Sequence, residues 1–311
     1  MPGKGRKVKK IVSVISLLFL CFILLSGCGA PQEETGKLQV VATLFPQYDF
    51  ARVLCGDKAE VTLLLPPGTD SHSFEPTPQD MIRVSEADLF LYTGDIMEPW
   101  AAGLAGNVSG TVVDVSEGVA LLDGGDIHST SPHSHHEADT DPHIWTTPQN
   151  AVMMVKTICD ALCTLDMDNA AFYKENAERY TEELMRLDAE IEDVVKSGKR
   201  QTIIFGGHFA MRYFTNRYSL GYETAFDACN GETEPSPAVL AHIIEEIRGE
   251  AIPAVYYEEL STPRTAAIIA EETGAQMLLL HSCHNLAPEE NGETYLSLMR
   301  KNMENIKIGL N

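Results

Sequence analysis

The sequence predicts an α/β protein of two lobes, each a mostly parallel sheet covered by helices, joined by one long rigid helix. Three observations carry this expectation. Short apolar runs rich in β-branched and aromatic residues alternate with helical patterns over residues 38–115. The same alternation resumes at residue 202 and continues to residue 308. Between the two stretches, residues 169–195 keep a helical pattern without a glycine or proline. Strands and helices that alternate in this way build parallel sheets with helices on their faces.

Residues 38–44 read as a buried strand, and 46–54 as a helix with Pro46 near its start, where a fixed φ suits the first turn. Residues 60–65 form a second apolar strand, ended by Pro66-Pro67-Gly68; 78–85 is helical, and 89–92 and 111–115 are strands. Residues 123–142 are rich in Gly, Ser, Asp and His with no apolar period, so they form a loop. Helical patterns follow at 150–163 and 169–195, the second placing Phe172, Leu184, Leu187, Ile191 and Val195 among alternating charges. About 27 helical residues span roughly 40 Å, long for a single lobe and suited to a connector. Beyond it come a strand at 202–205, a helix at 209–218, a strand at 222–228 and a helix at 237–248. A strand at 254–257, a helix at 264–273, a strand at 276–280 and a helix at 293–308 complete the chain. The expected division is a leader at 1–27, a polar tether at 28–37, an N-terminal lobe at 38–166, a linking helix at 167–198 and a C-terminal lobe at 199–311.

The leader sets the compartment. Lys4, Arg6, Lys7, Lys9 and Lys10 precede residues 11–25, which carry no charge and match a secretory apolar segment better than a membrane span. Leu25-Ser26-Gly27-Cys28 resembles a bacterial lipobox, which makes the Cys28 thiol the expected lipid acceptor. One acyl chain anchors only marginally, so stable attachment to the extracytoplasmic face of the cell membrane calls for several. Removal of residues 1–27 takes away five basic residues and no acidic one, moving the net charge from −22 to about −27. So acidic a chain lacks the basic footprint that nucleic acid demands. Of seven cysteines, Cys21 leaves with the leader and Cys28 takes the lipid. Cys55, Cys159, Cys163, Cys229 and Cys283 remain, an odd number without CxxC spacing, which argues against a structural zinc site. Cys159 and Cys163 share an apolar helix face and read as buried thiols; whether Cys229 and Cys283 pair stays open.

Four of the ten histidines sit where strands hand over to loops: His72, His143, His208 and His281. Open α/β sheets bind ligands beyond the carboxyl ends of their strands, so four imidazoles from such ends can converge. Imidazole suits zinc, and four nitrogens at about 2.0–2.1 Å complete a tetrahedral site. A lone loop histidine is more often a solvated or capping group, so spacing alone does not establish the site. Two candidates on each side of the long helix place the metal in the cleft between lobes. His128, His133, His135 and His136 form a separate cluster in the 123–142 loop, whose composition reads as a flexible segment that binds metal only weakly.

Here a family resemblance becomes specific. The segment from His72 to Pro78, in which histidine is followed by an aromatic and Glu75-Pro76-Thr77-Pro78, resembles the first ligand motif of the zinc and manganese solute-binding lipoproteins of bacterial ABC transporters. Asp141-Pro142-His143-Ile144-Trp145, with Pro148 and Asn150 behind it, is similar to their second. The segment from His208 to Phe214 is similar to the third, and Glu234-Pro235-Ser236-Pro237 resembles a further C-lobe motif. The likeness covers residues 38–309. It implies a zinc-type high-affinity uptake receptor, working as a monomer with a membrane permease and its cytoplasmic ATPase. In that family the last C-lobe strand leads to an aspartate; counting from Gly274 puts His281 at that place, with His284 as competitor. Glu258 matches a family glutamate near the metal, expected to orient an imidazole or a water, although Glu259-Leu260 replaces the usual Pro-Gln.

Three other functions compete with this reading. A zinc metallohydrolase would use His72, His143 and His208 as ligands and Glu258 to activate water, but a fourth available donor argues for a closed site. A manganese or iron receptor would favour carboxylates, whereas these candidates are nearly all imidazoles. An adhesin, a label often given to such surface lipoproteins, finds no separate adhesive module in the sequence.

Overall fold

Two four-stranded parallel sheets organise the chain, in a computed structural model that describes residues 36–122, 140–226 and 235–311. The leader with Cys28, residues 123–139 of the histidine-rich loop, and residues 227–234 with Cys229 and Glu234 lie outside the described residues.

The first sheet runs through β1 (Leu38–Ala42), α1 (Phe45–Cys55), β2 (Ala59–Leu63), α2 (Pro78–Ser85) and β3 (Leu89–Tyr92). Two short helices, α3 (Gly94–Met97) and α4 (Pro99–Ala105), lead to β4 (Thr111–Asp114). Its strand order is β2-β1-β3-β4, all parallel. Next come α5 (Pro148–Leu165) and the long α6 (Ala170–Ser197). The second half holds β5 (Thr202–Phe205), α7 (Arg212–Tyr218), β6 (Gly221–Thr224), α8 (Pro237–Glu250) and β7 (Ala254–Tyr257). It ends with α9 (Arg264–Thr273), β8 (Gln276–Leu279) and α10 (Tyr295–Gly309). This sheet repeats the first topology, β6-β5-β7-β8, again parallel. The two-lobed α/β fold expected from the sequence is therefore the fold observed.

Differences from the expected elements are local. The helix expected at 209–218 begins only at Arg212, because the chain from Gly206 to Met211 is spent as the loop that presents His208. The strand expected at 222–228 ends at Thr224, and its last two residues are outside the described set. Helices α3 and α4, of four and seven residues, are too short to show a period in the sequence.

Side-chain alternation along the strands splits the core. Val40, Ala42, Leu89, Leu91, Ile203, Phe205, Ala254 and Tyr256 all point into one buried cluster. Their neighbours Val41 and Phe90 face a smaller cluster under α2 and α4, while Ile204 and Val255 face another under α8 and α9. The shared cluster crosses from one sheet to the other along α6, whose Tyr173, Ala177, Tyr180, Leu184, Leu187, Ile191 and Val195 recur every three or four residues on its buried face. Polar pins add register. Buried Asp188 of α6 takes Arg217 at 2.6 Å and the Tyr218 hydroxyl at 2.9 Å, fixing α7. Asp49 of α1 accepts from the Tyr295 backbone N–H at 3.0 Å, capping α10 across the two halves. Among the described residues, no helix is long and apolar enough to cross a membrane.

Candidate metal centre

Every sequence-predicted ligand lies beyond the carboxyl end of a strand, on the loops that face the space between the sheets. The His72 loop leaves β2, and Asp70 shapes it by accepting the His72 backbone N–H at 2.7 Å. Ser71 anchors it through its carbonyl, which accepts from Trp100 Nε1 at 3.1 Å. Asn285, on the loop after β8, donates to the carbonyls of Pro66 (2.7 Å) and Thr69 (2.9 Å). The Gly68 N–H donates to Leu286 O at 2.7 Å, so the His72 loop is stitched to the opposite lobe.

His143 is 1% exposed and follows a turn in which Asp141 Oδ1 accepts its backbone N–H at 2.9 Å and meets its ring Nδ1 at 2.9 Å. Burial, the largest single influence, opposes charge on Asp141, yet the hydrogen bonds and charge of His143 together with Arg212 outweigh it and lower that carboxyl's pKa. The neighbouring Trp145 is fully buried and donates Nε1–H to Ser282 O at 2.8 Å, while the Tyr295 hydroxyl donates to Trp145 O at 2.6 Å. Tyr213 clamps both ends of the histidine-rich loop: its hydroxyl donates to Asp141 O at 2.8 Å and accepts from Leu122 N–H at 3.1 Å.

His208 emerges from β5 after Gly206-Gly207. Gly206 is required there, since a Cβ would meet the Ala266 backbone at 2.6 Å. Its ring Nδ1 lies 3.1 Å from Glu258 Oε2, at the end of β7. The rings of His72, His143 and His208, from three separate loops, converge: centroids lie 5.6 Å apart for His72–His143 and His143–His208, and 6.2 Å for His72–His208. Two imidazoles on one tetrahedral zinc have centroids about 5 Å apart, given Zn–N bonds near 2.0–2.1 Å. Among the described residues no set of three or more His, Cys, Asp or Glu side chains is already drawn to metal-binding distance. The three observed separations are somewhat wider than the spacing of two zinc-bound imidazoles.

His281, the expected fourth donor, and His284, its competitor, have different surroundings. His281 is buried but turned to other partners: Nε2 pairs with Glu290 Oε2 at 3.1 Å, and Nδ1 accepts from the Cys283 N–H at 2.9 Å. Both ring nitrogens are thereby engaged, and Asn302 fixes the backbone on either side, accepting from His281 N–H at 2.7 Å and donating to His281 O at 2.8 Å. His284, three residues on, is the histidine beside the cluster. Its pKa is lowered to about 4, chiefly by burial; Glu259 opposes the shift, and His143 and His72 add to it. Its Nε2 is buried with no hydrogen-bond partner among the described residues, as is Glu258 Oε1. His72 too has a lowered pKa, from burial first and His143 second. Neutral imidazoles with available nitrogens are what a divalent ion needs. Sequence reasoning missed Ser282, Asn285 and Tyr213, and gave Glu259 no role. A buried acid followed by a Ser-Cys-His run is a faint signal for the first pair, and none exists for the others.

A family profile described as the periplasmic component A of the zinc-uptake complex matches residues 40–309. The chain belongs to that family. The high-affinity zinc uptake system protein ZnuA of Bacillus subtilis is 30% identical over 312 residues, covering 96% of this chain and 97% of that one. The zinc-binding lipoprotein AdcA of Streptococcus pneumoniae is 31% identical over 304 residues, covering 94% of this chain but only 60% of its own length. Among solved structures, the Zn(II)-bound ZnuA-like domain of Streptococcus pneumoniae AdcA superposes with a TM-score of 0.75 at 28% identity, over 88% of this chain and 99% of that domain. The zinc-uptake component A fold thus extends through both sheets and the connecting helix.

Proposed function

We propose that this chain is an extracytoplasmic receptor, lipid-anchored through Cys28, that binds Zn2+ between its lobes and delivers it to an ABC importer made of a permease and a cytoplasmic ATPase. The observation that carries it is the convergence of His72, His143 and His208 from both lobes to ring separations of 5.6–6.2 Å. His284 is the fourth donor in this reading, in place of His281. Zinc is the cargo, and the protein works as a monomer. Asp141 and Glu258 behind His143 and His208 hold those rings by Nδ1 and leave Nε2 for the ion, an arrangement that raises ligand basicity.

Four imidazoles favour zinc over manganese, which prefers oxygen donors. A hydrolytic role is disfavoured because Glu258 is committed to His208 and a fourth nitrogen closes the shell that a reacting water would enter. The test is elemental analysis of protein purified without added metal, followed by titration of the stripped protein with Zn2+ and Mn2+. One tightly held zinc, lost on His143→Ala or His208→Ala, is expected. Equal affinity for both ions, or zinc-dependent hydrolytic turnover, would overturn the reading.

A further inference from the structure

Resting on the reading of His284 as a zinc donor, we infer that Glu259 and Ser282 form a hydrogen-bonded relay that sets the tautomer and aim of the His284 ring. Glu259 is 2% exposed in its side chain and lies two residues past β7. It receives the Ser282 backbone N–H on Oε2 at 2.9 Å and the Ser282 hydroxyl on Oε1 at 2.7 Å. The same Ser282 Oγ lies 2.5 Å from His284 Nδ1. A hydroxyl has one proton to give. Committed to the carboxylate, Ser282 can only accept at His284, so Nδ1 carries the hydrogen and the lone pair sits on Nε2. That atom is the buried one without a hydrogen-bond partner among the described residues.

The relay extends a pattern already present twice. Asp141 meets His143 Nδ1 at 2.9 Å, and Glu258 meets His208 Nδ1 at 3.1 Å. Glu259 does the same for His284 one hydroxyl further away, its own Oε1 standing 3.6 Å from Nδ1. Three imidazoles thus carry a carboxylate behind the ring, and the negative charge that balances the bound ion lies outside the donor set. Glu259 and Ser282 are positioning residues: they act on the metal only through His284.

The experiment is a thermodynamic cycle on the full chain, with zinc affinity read by competition against a chromophoric chelator. Ser282→Ala and Glu259→Gln should each weaken zinc about 10–100-fold, the usual loss when such a partner is removed. In a His284→Ala background, Ser282→Ala should add less than about a twofold loss, because its only route to the metal is gone. Nitrogen-15 NMR of the zinc-loaded wild type should show His284 protonated at Nδ1 and ligated at Nε2. Wild-type affinity in both single variants overturns the relay. So does a Ser282→Ala loss of equal size with and without His284, the mark of a merely structural residue. If His284→Ala alone binds zinc like the wild type, the assignment of the donor has failed first, a distinguishable result. Glu259→Gln retains the Ser282 hydroxyl and stands as the independent probe if Ser282→Ala does not fold.

Discussion

Replacing His281 with alanine should damage the fold and spare the metal, although the sequence points to this residue as the ligand. The ring is 2% exposed and spans a buried polar seam. Its removal leaves the Cys283 N–H without an acceptor, at about 1–3 kcal/mol for an unsatisfied buried donor. It also breaks the bond to Glu290, about 1.5–3 kcal/mol for a partner that carries charge. Glu290 keeps the Ala287 N–H at 2.9 Å, which softens the second loss. A net destabilisation of about 3 kcal/mol follows, which lowers the melting temperature by roughly 6–12 °C in a domain of this size. Zinc affinity, measured well below the transition, should change less than about threefold, since 3 kcal/mol lies within ordinary folding stability. Calorimetry of the metal-free protein and chelator competition on the same preparation read the two effects separately. A tenfold or greater loss of zinc affinity without a shift in melting temperature would show that His281 is the donor and that the geometry was misread.

Three further outcomes are expected. Cys28→Ala should move the protein from the membrane fraction to the medium or leave an unprocessed precursor, as fractionation and intact-mass analysis would show; unmodified Cys28 in membrane extracts would refute the anchor. Zinc affinity should hold between about pH 8 and 6.5 and fall progressively toward pH 5, because protons compete for imidazoles whose reference pKa is about 6.5. His72 and His284, already depressed, should protonate last. The same depressed pKa values make the metal-free fold lose stability as pH falls from about 6.5 toward 4, since the unfolded chain binds those protons first. Affinity that stays flat to pH 4.5 in chelator competition would indicate a carboxylate-dominated site. Deletion of residues 126–140 should abolish weak extra zinc binding and leave the cleft affinity within about twofold, because Leu122 and Asp141 remain clamped by Tyr213; a large loss in calorimetric titration would show that the loop supplies a donor.

Most of the architecture was legible because strand and helix periods are written locally. Pro78–Ser85, Leu89–Tyr92, Thr202–Phe205, Ala254–Tyr257 and Arg264–Thr273 begin and end where the pattern does. Boundaries slipped where the chain is used as a loop: Phe209, Ala210 and Met211, which fit a helical pattern, stay outside the helix as part of the segment that presents His208. His72, His143 and His208 stood out in the sequence as histidines beyond strand ends, and their rings come together in the fold. The different partners of His281 and His284 did not stand out, because they depend on how the loop after β8 folds: His281 meets Glu290 and the Cys283 N–H, and His284 meets Ser282. The extent of the shared core was equally hidden, since alternation shows which residues are buried but not against which sheet.

That core has a mechanical consequence. A receptor with a true hinge can announce cargo by swinging its lobes together, and a permease then reads the change in silhouette. Here one apolar cluster passes unbroken from one sheet to the other along a 28-residue helix. Prising the lobes apart far enough to wet even 400 Å² of it would cost about 10 kcal/mol, on the order of the whole folding free energy. Under the proposed function, loaded and unloaded molecules would therefore present nearly the same outline. In that reading, the message that an ion is aboard would then be written in the few residues of the His72 and His284 loops, and a transporter that discriminates between the two forms would touch the molecule there.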